Sequence, residues 1–287
     1  MKIAVASGKG GTGKTMVSTS LAASLAPHVD IEFLDCDVEA PNAHLFLHPE
    51  IQSVQPAIIQ IPVVDQDDCI ACSKCVEACA FNALAMLQET ILVFPQLCHG
   101  CGSCSRICPV GAISEEPRTI GKLSKGTTSQ AISYWMGEMT ISEPMPTPII
   151  RQLKSLSSRT AEVTILDSPP GASCSVVATL HDADFVLLVT EPTPFGLHDL
   201  KQMLGVILKT GAPAGVVINR DGIGDSSVET YLTGTDYPVL MKIPYQNEIA
   251  VGLAKGDLLT DIMPAIKEDF RTLYEDILTI LAQKMGR

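Results

Sequence analysis

Long apolar runs are missing from this chain: none approaches the roughly 18 residues that a membrane-spanning helix needs. Positive charge is scarce as well. The 20 Lys and Arg are outnumbered by 32 Asp and Glu, a net charge of −12, which argues against a nucleic-acid or anionic-lipid surface as the main business of the protein. Charged residues make up only 18% and hydrophobic ones 46%, so a sizeable core can be buried and disorder is not expected. The opening MKIAVAS has a Lys and apolar residues, yet the run breaks at Ser7-Gly8-Lys9, unlike a signal peptide. Export is not expected; a cytoplasmic protein is.

Cysteine is scarce outside one stretch. Eight of the ten cysteines fall between Cys69 and Cys108, and only Cys36 and Cys174 lie elsewhere. A secreted disulfide scaffold is short and spreads its bridges over the whole fold. A dense cluster inside 287 residues reads instead as metal ligation in a reducing compartment. The chain divides accordingly into a Cys-poor domain, residues 1–58 and 119–287, and a Cys-rich insert over 59–118.

The Cys-poor part alternates short apolar runs with helical patterns. Strands are predicted at Ile3–Ala6, Ile31–Leu34, Val163–Leu166, Phe185–Val189, Gly215–Ile218 and Val239–Ile243. They lack polar alternation, as strands of a parallel sheet buried on both faces do. Helices are predicted at Lys14–Leu25, Ser173–Leu180, Leu197–Lys209, Asn247–Ala254 and Pro264–Met285. This alternation implies right-handed crossovers and an α/β fold with a doubly wound, mostly parallel sheet. In the stretch Thr119–Arg159, Gly121, Gly126 and Gly137 suggest a hairpin and Pro148–Leu156 a helix. Ligands of such sheets gather at the carboxyl ends of the strands.

The first strand runs into Gly8-Lys9-Gly10-Gly11-Thr12-Gly13-Lys14-Thr15, which fits G-x-x-x-x-G-K-[ST] between a strand and a helix. Glycines let backbone N–H groups close around phosphate oxygens, and the helix N-terminus adds positive potential. In this pattern Lys14 serves the β- and γ-phosphates and the Thr15 hydroxyl serves Mg²⁺. The bland alternative is a Gly-rich turn without ligand.

Lys9 adds a second lysine, giving K-G-G-x-G-K-T. With it the chain resembles the MinD/ParA/Mrp family of deviant Walker A ATPases, which includes the iron protein of nitrogenase. The resemblance implies ATP and Mg²⁺, and two protomers closing face to face over two nucleotides, with Lys9 reaching the partner's phosphates. Asp35-Cys36-Asp37 and Pro41-Asn42 resemble the switch I segment, which gives Asp37 the role of orienting water and reaching the Mg²⁺ shell. Asp167-Ser168-Pro169-Pro170-Gly171 resembles the Walker B aspartate with switch II. Asn219 matches the adenine-contacting asparagine, and Ile243-Pro244 the segment beside the base. Otherwise Lys9 is a solvated loop lysine, and the aspartates at strand ends cap helices. The dimer partner is a second copy or a related ATPase.

Cys69, Cys72, Cys75 and Cys79 are spaced C-x₂-C-x₂-C-x₃-C, and Cys98, Cys101, Cys104 and Cys108 repeat that spacing 29 residues later. The repeat resembles a bacterial two-cluster ferredoxin, an α+β module in which four thiolates hold each [4Fe–4S] group. The resemblance assigns Cys69, Cys72, Cys75 and Cys108 to cluster one, and Cys79, Cys98, Cys101 and Cys104 to cluster two. The second run ends in Cys-Pro as that family prefers; the first ends in Cys79-Ala80. Zinc is the alternative, but Cys₄ zinc sites are usually built from two separated C-x₂-C pairs. Cys36 reads as a small buried apolar residue. Cys174 stands where the nitrogenase iron protein has a cluster ligand, but a shared four-thiolate cluster needs a second cysteine per protomer; a structural role is expected.

Three functions follow. One is a nucleotide-gated redox protein whose insert passes electrons to a partner protein. Another is an iron–sulfur cluster carrier of the Mrp kind, which lacks support because no C-x-x-C pair exists outside residues 69–108. The third is a spatial organiser like MinD or ParA. The last helix has Ile266, Phe270, Leu273, Ile277 and Leu281 at helical spacing, but its mixed charges suit packing on the sheet better than lying on lipid. The root of the insert lies close in sequence to Asp37–Asn42, so that segment is the expected link between nucleotide and clusters.

Overall fold

The structure is a computed structural model that describes residues 1–158 and 160–285; the expected ends at Arg159 and at 286–287 lie outside the described residues. Among the described residues nine strands form one sheet, in the order β11-β10-β9-β1-β8-β2-β7-β6-β3. These are β1 (Lys2–Ala6), β2 (Ile31–Asp35), β3 (Glu50–Val64), β6 (Ile113–Thr127), β7 (Ser133–Met139), β8 (Val163–Asp167), β9 (Phe185–Thr190), β10 (Ala214–Asp221) and β11 (Val239–Pro244). From β11 to β7 every neighbouring pair is parallel. β6 and β3 then add antiparallel at the edge.

Alternate strand residues enter opposite cores: Ile3 and Val5 on one face, Ala4 and Ala6 on the other. The first face carries α1 (Lys14–Leu25), α2 (His44–Leu47), α9 (Asn247–Leu253), α10 (Leu259–Ile262) and α11 (Ile266–Met285). The second carries α5 (Thr147–Leu156), α6 (Cys174–Leu180), α7 (Pro194–Thr210) and α8 (Ser227–Thr233). Two buried faces explain the unalternated apolar strands. In α11, Ile266, Phe270, Leu273 and Ile277 are buried in the first core, so its apolar stripe is spent on protein packing. Among the described residues no helix is long and apolar enough to cross a membrane.

The hairpin and helix expected over 119–159 appear as β6–β7 and α5. β3 carries no apolar strand pattern, because residues 50–64 are mostly exposed and include Pro56 and Pro62. It pairs with β6 from Glu50↔Thr127 to Val64↔Ile113. Fifteen residues at about 3.3 Å each make a ribbon about 50 Å long. Its first half lies in the sheet, since β6 pairs with β7 only from Gly121 to Thr127. The register then slips between Ala57 and Ile58, with Ile120 as the extra residue. Such a bulge bends and twists a ribbon, and beyond it both strands leave the sheet.

The ribbon ends in the cysteine module. It comprises α3 (Lys74–Glu77), the hairpin β4 (Leu84–Leu87) and β5 (Thr90–Val93), a 3₁₀ turn at Pro95–Leu97 and α4 (Ser103–Ile107). Cys75, Leu84, Ile91, Cys104 and Ile113 form its core.

Candidate functional site: a nucleotide cleft and two thiol-lined cavities

The loop after β1 turns on glycines that cannot be replaced without strain. Gly11 and Gly13 have φ +78° and +92°, and a Cβ on Gly13 would lie 2.3 Å from the Asn219 amide nitrogen. The loop lines a cleft of about 520 Å³ that holds Lys9, Gly10, Gly11, Thr12, Gly13, Lys14, Thr15, Asp37, Asn219 and Pro244 together. That volume falls within the ordinary range of small-molecule sites. Gly8 is outside the lining; a Cβ there would run into the Asp199 carbonyl, so it serves the packing of the loop on α7.

Every cation of the cleft is met by a carboxylate of the same chain. Lys14 Nζ donates to Asp167 Oδ1 at 2.9 Å, and Thr15 Oγ1 donates to Asp167 Oδ2 at 2.8 Å. Burial works against the Lys14 charge, but Asp167, Asp37 and Asp35 outweigh it and raise its pKa. Lys9 Nζ lies 3.3 Å from Glu191 Oε2, and Arg220 Nη1 donates to the other oxygen, Oε1, at 2.6 Å. Arg220 also donates to the Gly11 carbonyl at 3.3 Å. Asn219 Nδ2 donates to the Thr12 carbonyl at 2.8 Å, and its Oδ1 accepts from the Arg220 backbone. One N–H and one lone pair of the Asn219 amide thus remain for a ligand.

Asp35 points away from the cleft and into the backbone of the following loop. Its carboxylate accepts from the N–H groups of Asp37, Asn42 and Ala43. Burial, then the Asp167 charge, pushes its pKa up to about 8; burial also pushes Asp37 to about 6. Sequence reasoning missed Glu191, Arg220 and this use of Asp35. All three sit at the carboxyl end of a strand, the one signal that marked them.

The eight clustered cysteines divide between two cavities. Cys69, Cys72, Cys75 and Cys108 line one with Val64, Ile91 and Ile113. Cys79, Cys98, Cys101 and Cys104 line the other with Gln60, Pro62 and Glu115. Left-handed backbone recurs with the sequence repeat: Ala71, Ser73 and Asn82 in the first run, Gly100, Gly102 and Gly111 in the second, each pair 29 residues apart. Such turns aim N–H groups inward, and the Gly100 N–H donates to Cys98 Sγ at 3.4 Å. Among the described residues no three His, Cys, Asp or Glu side chains converge on one point as ligands of a single ion do. Four thiols spread around a cavity, under inward N–H groups, fit a multi-iron cluster better than a zinc ion. His99, next to Cys98, stacks on Phe81 with ring centroids 3.6 Å apart.

Cys36 is fully buried, and burial raises its thiol pKa far above the ordinary value. Cys174 is exposed at the start of α6, against the structural role expected for it, because its position on the first turn faces an open cavity shared with Lys2, Arg151 and Lys154.

The parallel order with a glycine loop after its central strand has counterparts among known proteins. The sequence profile of the CobQ/CobB/MinD/ParA nucleotide binding domain matches residues 3–259. The chain belongs to that family. Within it, the uncharacterised protein MJ0578 of Methanocaldococcus jannaschii is 31% identical over 280 residues, 96% of each chain. The septum site-determining protein MinD of Pyrococcus horikoshii, solved with Mg-ADP, superposes with a TM-score of 0.58 at 20% identity, covering 96% of this chain and 95% of that one; this likeness is one of fold. The family's nucleotide-binding fold here carries an insert, and a ferredoxin of Pyrobaculum islandicum is 40% identical over 68 residues, 22% of this chain and 63% of that protein. The module is therefore ferredoxin-like.

Proposed function

We propose that the protein is a Mg²⁺-dependent, cytoplasmic ATPase that couples nucleotide-driven dimer closure to electron transfer through two [4Fe–4S] clusters. The observation that carries this reading is the continuity of the sheet: β6 is at once a strand of the nucleotide domain and a wall of both cysteine cavities. The two domains are drawn at 58/119, supported by the register slip between Ala57 and Ile58. When bound, each cluster supplies a one-electron couple; a one-electron donor protein fills it and an acceptor protein empties it.

On this reading ATP occupies the cleft, with its adenine toward Asn219 and Pro244 and its phosphates in the Gly10–Thr15 loop. The Thr12 hydroxyl, buried and without a partner in the chain, suits such a ligand. Thr15 and Asp37 would hold Mg²⁺, which keeps Asp37 ionised despite its raised pKa. Lys14 keeps one N–H on Asp167 and offers its other two to the β- and γ-phosphates. Asp37 orients a water that attacks the γ-phosphorus; the new P–O bond forms as the β–γ bridging bond breaks, leaving ADP and phosphate. Lys9 leaves Glu191 for the nucleotide of the opposing protomer, a second copy or a related chain. Arg220 stays on Glu191, so the departure leaves no buried carboxylate bare.

The test is redox titration of anaerobic protein with and without MgATP, joined to two lysine variants. Lys14→Ala should weaken ATP binding, whereas Lys9→Ala should abolish hydrolysis and ATP-dependent dimerisation while ATP still binds. Wild-type hydrolysis by Lys9→Ala would remove the cross-protomer role. Identical potentials in both nucleotide states would leave the module an independent passenger.

A further inference from the structure

We infer that α5 carries the nucleotide state to the cysteine module, and that it acts on the second cysteine set and not on the first, with Lys154 and Gln152 as positioning residues. This rests on the coupled reading above and adds its route. The loop Asp167–Ser173, bound to the glycine loop by the Gly171 N–H and Ser7 carbonyl at 2.9 Å, leads directly into α6. Lys154 of α5 donates its ammonium to three carbonyls at the far end of α6, those of Ala178, Thr179 and His181. A cation on a helix C-terminus is favourable, and here it ties two helices end to side.

The loop after β2 reaches β7, the strand on which α5 packs. The Val38 carbonyl accepts from the Met139 N–H at 2.8 Å. Gly137 and Gly121 bring α5 down onto the sheet, since a Cβ on either would press on Ile149. The two loops, Asp167–Ser173 through α6 and Asp37–Asn42 through Val38 and β7, therefore both lead to α5.

From α5 the path goes to β3. Gln152 Oε1 accepts from the Ile58 N–H at 3.0 Å, at the register slip where the ribbon leaves the sheet. One residue further on, the second cysteine loop rests on the strand: a Cβ on Gly100 would lie 3.1 Å from Ile59 and 3.2 Å from the Gln60 carbonyl. Below it, Arg118 of β6 pairs with both oxygens of buried Glu143, just before α5. The first cysteine set sits at the tip, against Val64 and Ile113. A tilt of α5 thus moves the wall of the second cavity and the Gly100–Cys98 hydrogen bond. Hydrogen bonds to sulfur and burial both tune a cluster's potential.

The test uses anaerobic full-length protein with both clusters, titrated by spectroscopy with and without Mg²⁺ and a non-hydrolysable ATP analogue; Cys72→Ser and Cys101→Ser assign the signals. The second set should shift about tenfold in its oxidised-to-reduced ratio, about 59 mV for one electron, and the first should not. Gln152→Ala and Lys154→Met should each cut that shift to threefold or less with iron content unchanged, and Lys154→Arg should restore it. Reduction should change analogue affinity by the same factor, and the two substitutions should shrink that factor alike. Hydrogen exchange should report nucleotide-dependent protection at Ile58–Gln60 and Gly100 and none at Cys69–Ser73. A wild-type shift that survives both substitutions, or falls on the first set, overturns this route and leaves the coupled function standing. No shift at either set overturns both.

Discussion

The nucleotide cleft and the cysteine module hold their ligand groups by opposite means. In the cleft Lys14 is paired with Asp167, and Lys9 and Arg220 with Glu191, so each of these cations has a carboxylate partner within a fold built on a large core. In the module the thiols are themselves core: Cys75 and Cys104 pack with Leu84, Ile91 and Ile113. A small unit of this kind rarely has enough apolar burial to stand alone. On the proposed function, nucleotide would be a visitor to a finished fold, whereas the clusters would belong to the folding of the module itself.

The largest effect should come from removing iron. Chelation under reducing conditions is expected to abolish hydrogen-exchange protection over residues 65–112 while β1, β2 and β8 keep theirs. Intact protein should contain about eight iron and eight sulfide per chain. Full protection of the metal-free module would break the comparison, and stoichiometric zinc without sulfide would refute the clusters.

Next in size is Lys14→Ala in the nucleotide-free protein. It leaves Asp167, which is fully buried, without its cation, and unpairing a buried charge costs about 3–5 kcal/mol. Urea unfolding within about 1 kcal/mol of wild type would show that buried Asp167 does not depend on Lys14 for its compensation.

A smaller contrast separates the two cysteine loops. Gly100→Ala places a side chain at φ +65° against Ile59 and should destabilise its loop by about 1–2 kcal/mol. Ala71→Gly, at φ 51° in the first loop, should do the reverse by up to about 1 kcal/mol, less the extra freedom it adds to the unfolded chain. Rates of iron loss read both; equal rates would mean the repeat of backbone conformation carries no strain.

The smallest effect is one of pH. Asp35 and Asp37 titrate in the fold at about 8 and about 6, above the ordinary 3.8. The folded state therefore holds more protons than the unfolded one in this window, and stability falls as pH rises through it. The nucleotide-free melting temperature should drop between pH 6 and 8 more in wild type than in Asp35→Asn. MgATP should flatten the wild-type slope, since the cation favours ionised Asp37. Parallel curves would remove the buried Asp35 carboxyl as the cause.

Much of this was legible in the chain. Strands buried on both faces show as unalternated Val, Ile and Leu, and the glycine loop is local chemistry that needs only the strand before it and the helix after it. β3 escaped because an edge strand with few buried residues carries no apolar pattern, and because its partner β6 lies about sixty residues away. Glu191 escaped because a single carboxylate after a strand has no spacing to betray it.

The sequence alone determines what is repeated or contiguous: the K-G-G-x-G-K-T loop, the two C-x₂-C-x₂-C-x₃-C runs and the alternation that builds the sheet. These depend on neighbours a few residues apart, whose geometry the backbone imposes wherever they occur. Tertiary structure decides which carboxylate meets Lys9, which strand lifts the module out of the sheet, and which cysteine loop rests on Ile59 and Gln60 of β3. Those choices pair residues as far apart as Lys9 and Glu191, or Gln152 and Ile58. They are settled only when burial of the whole sheet brings such residues within hydrogen-bond reach.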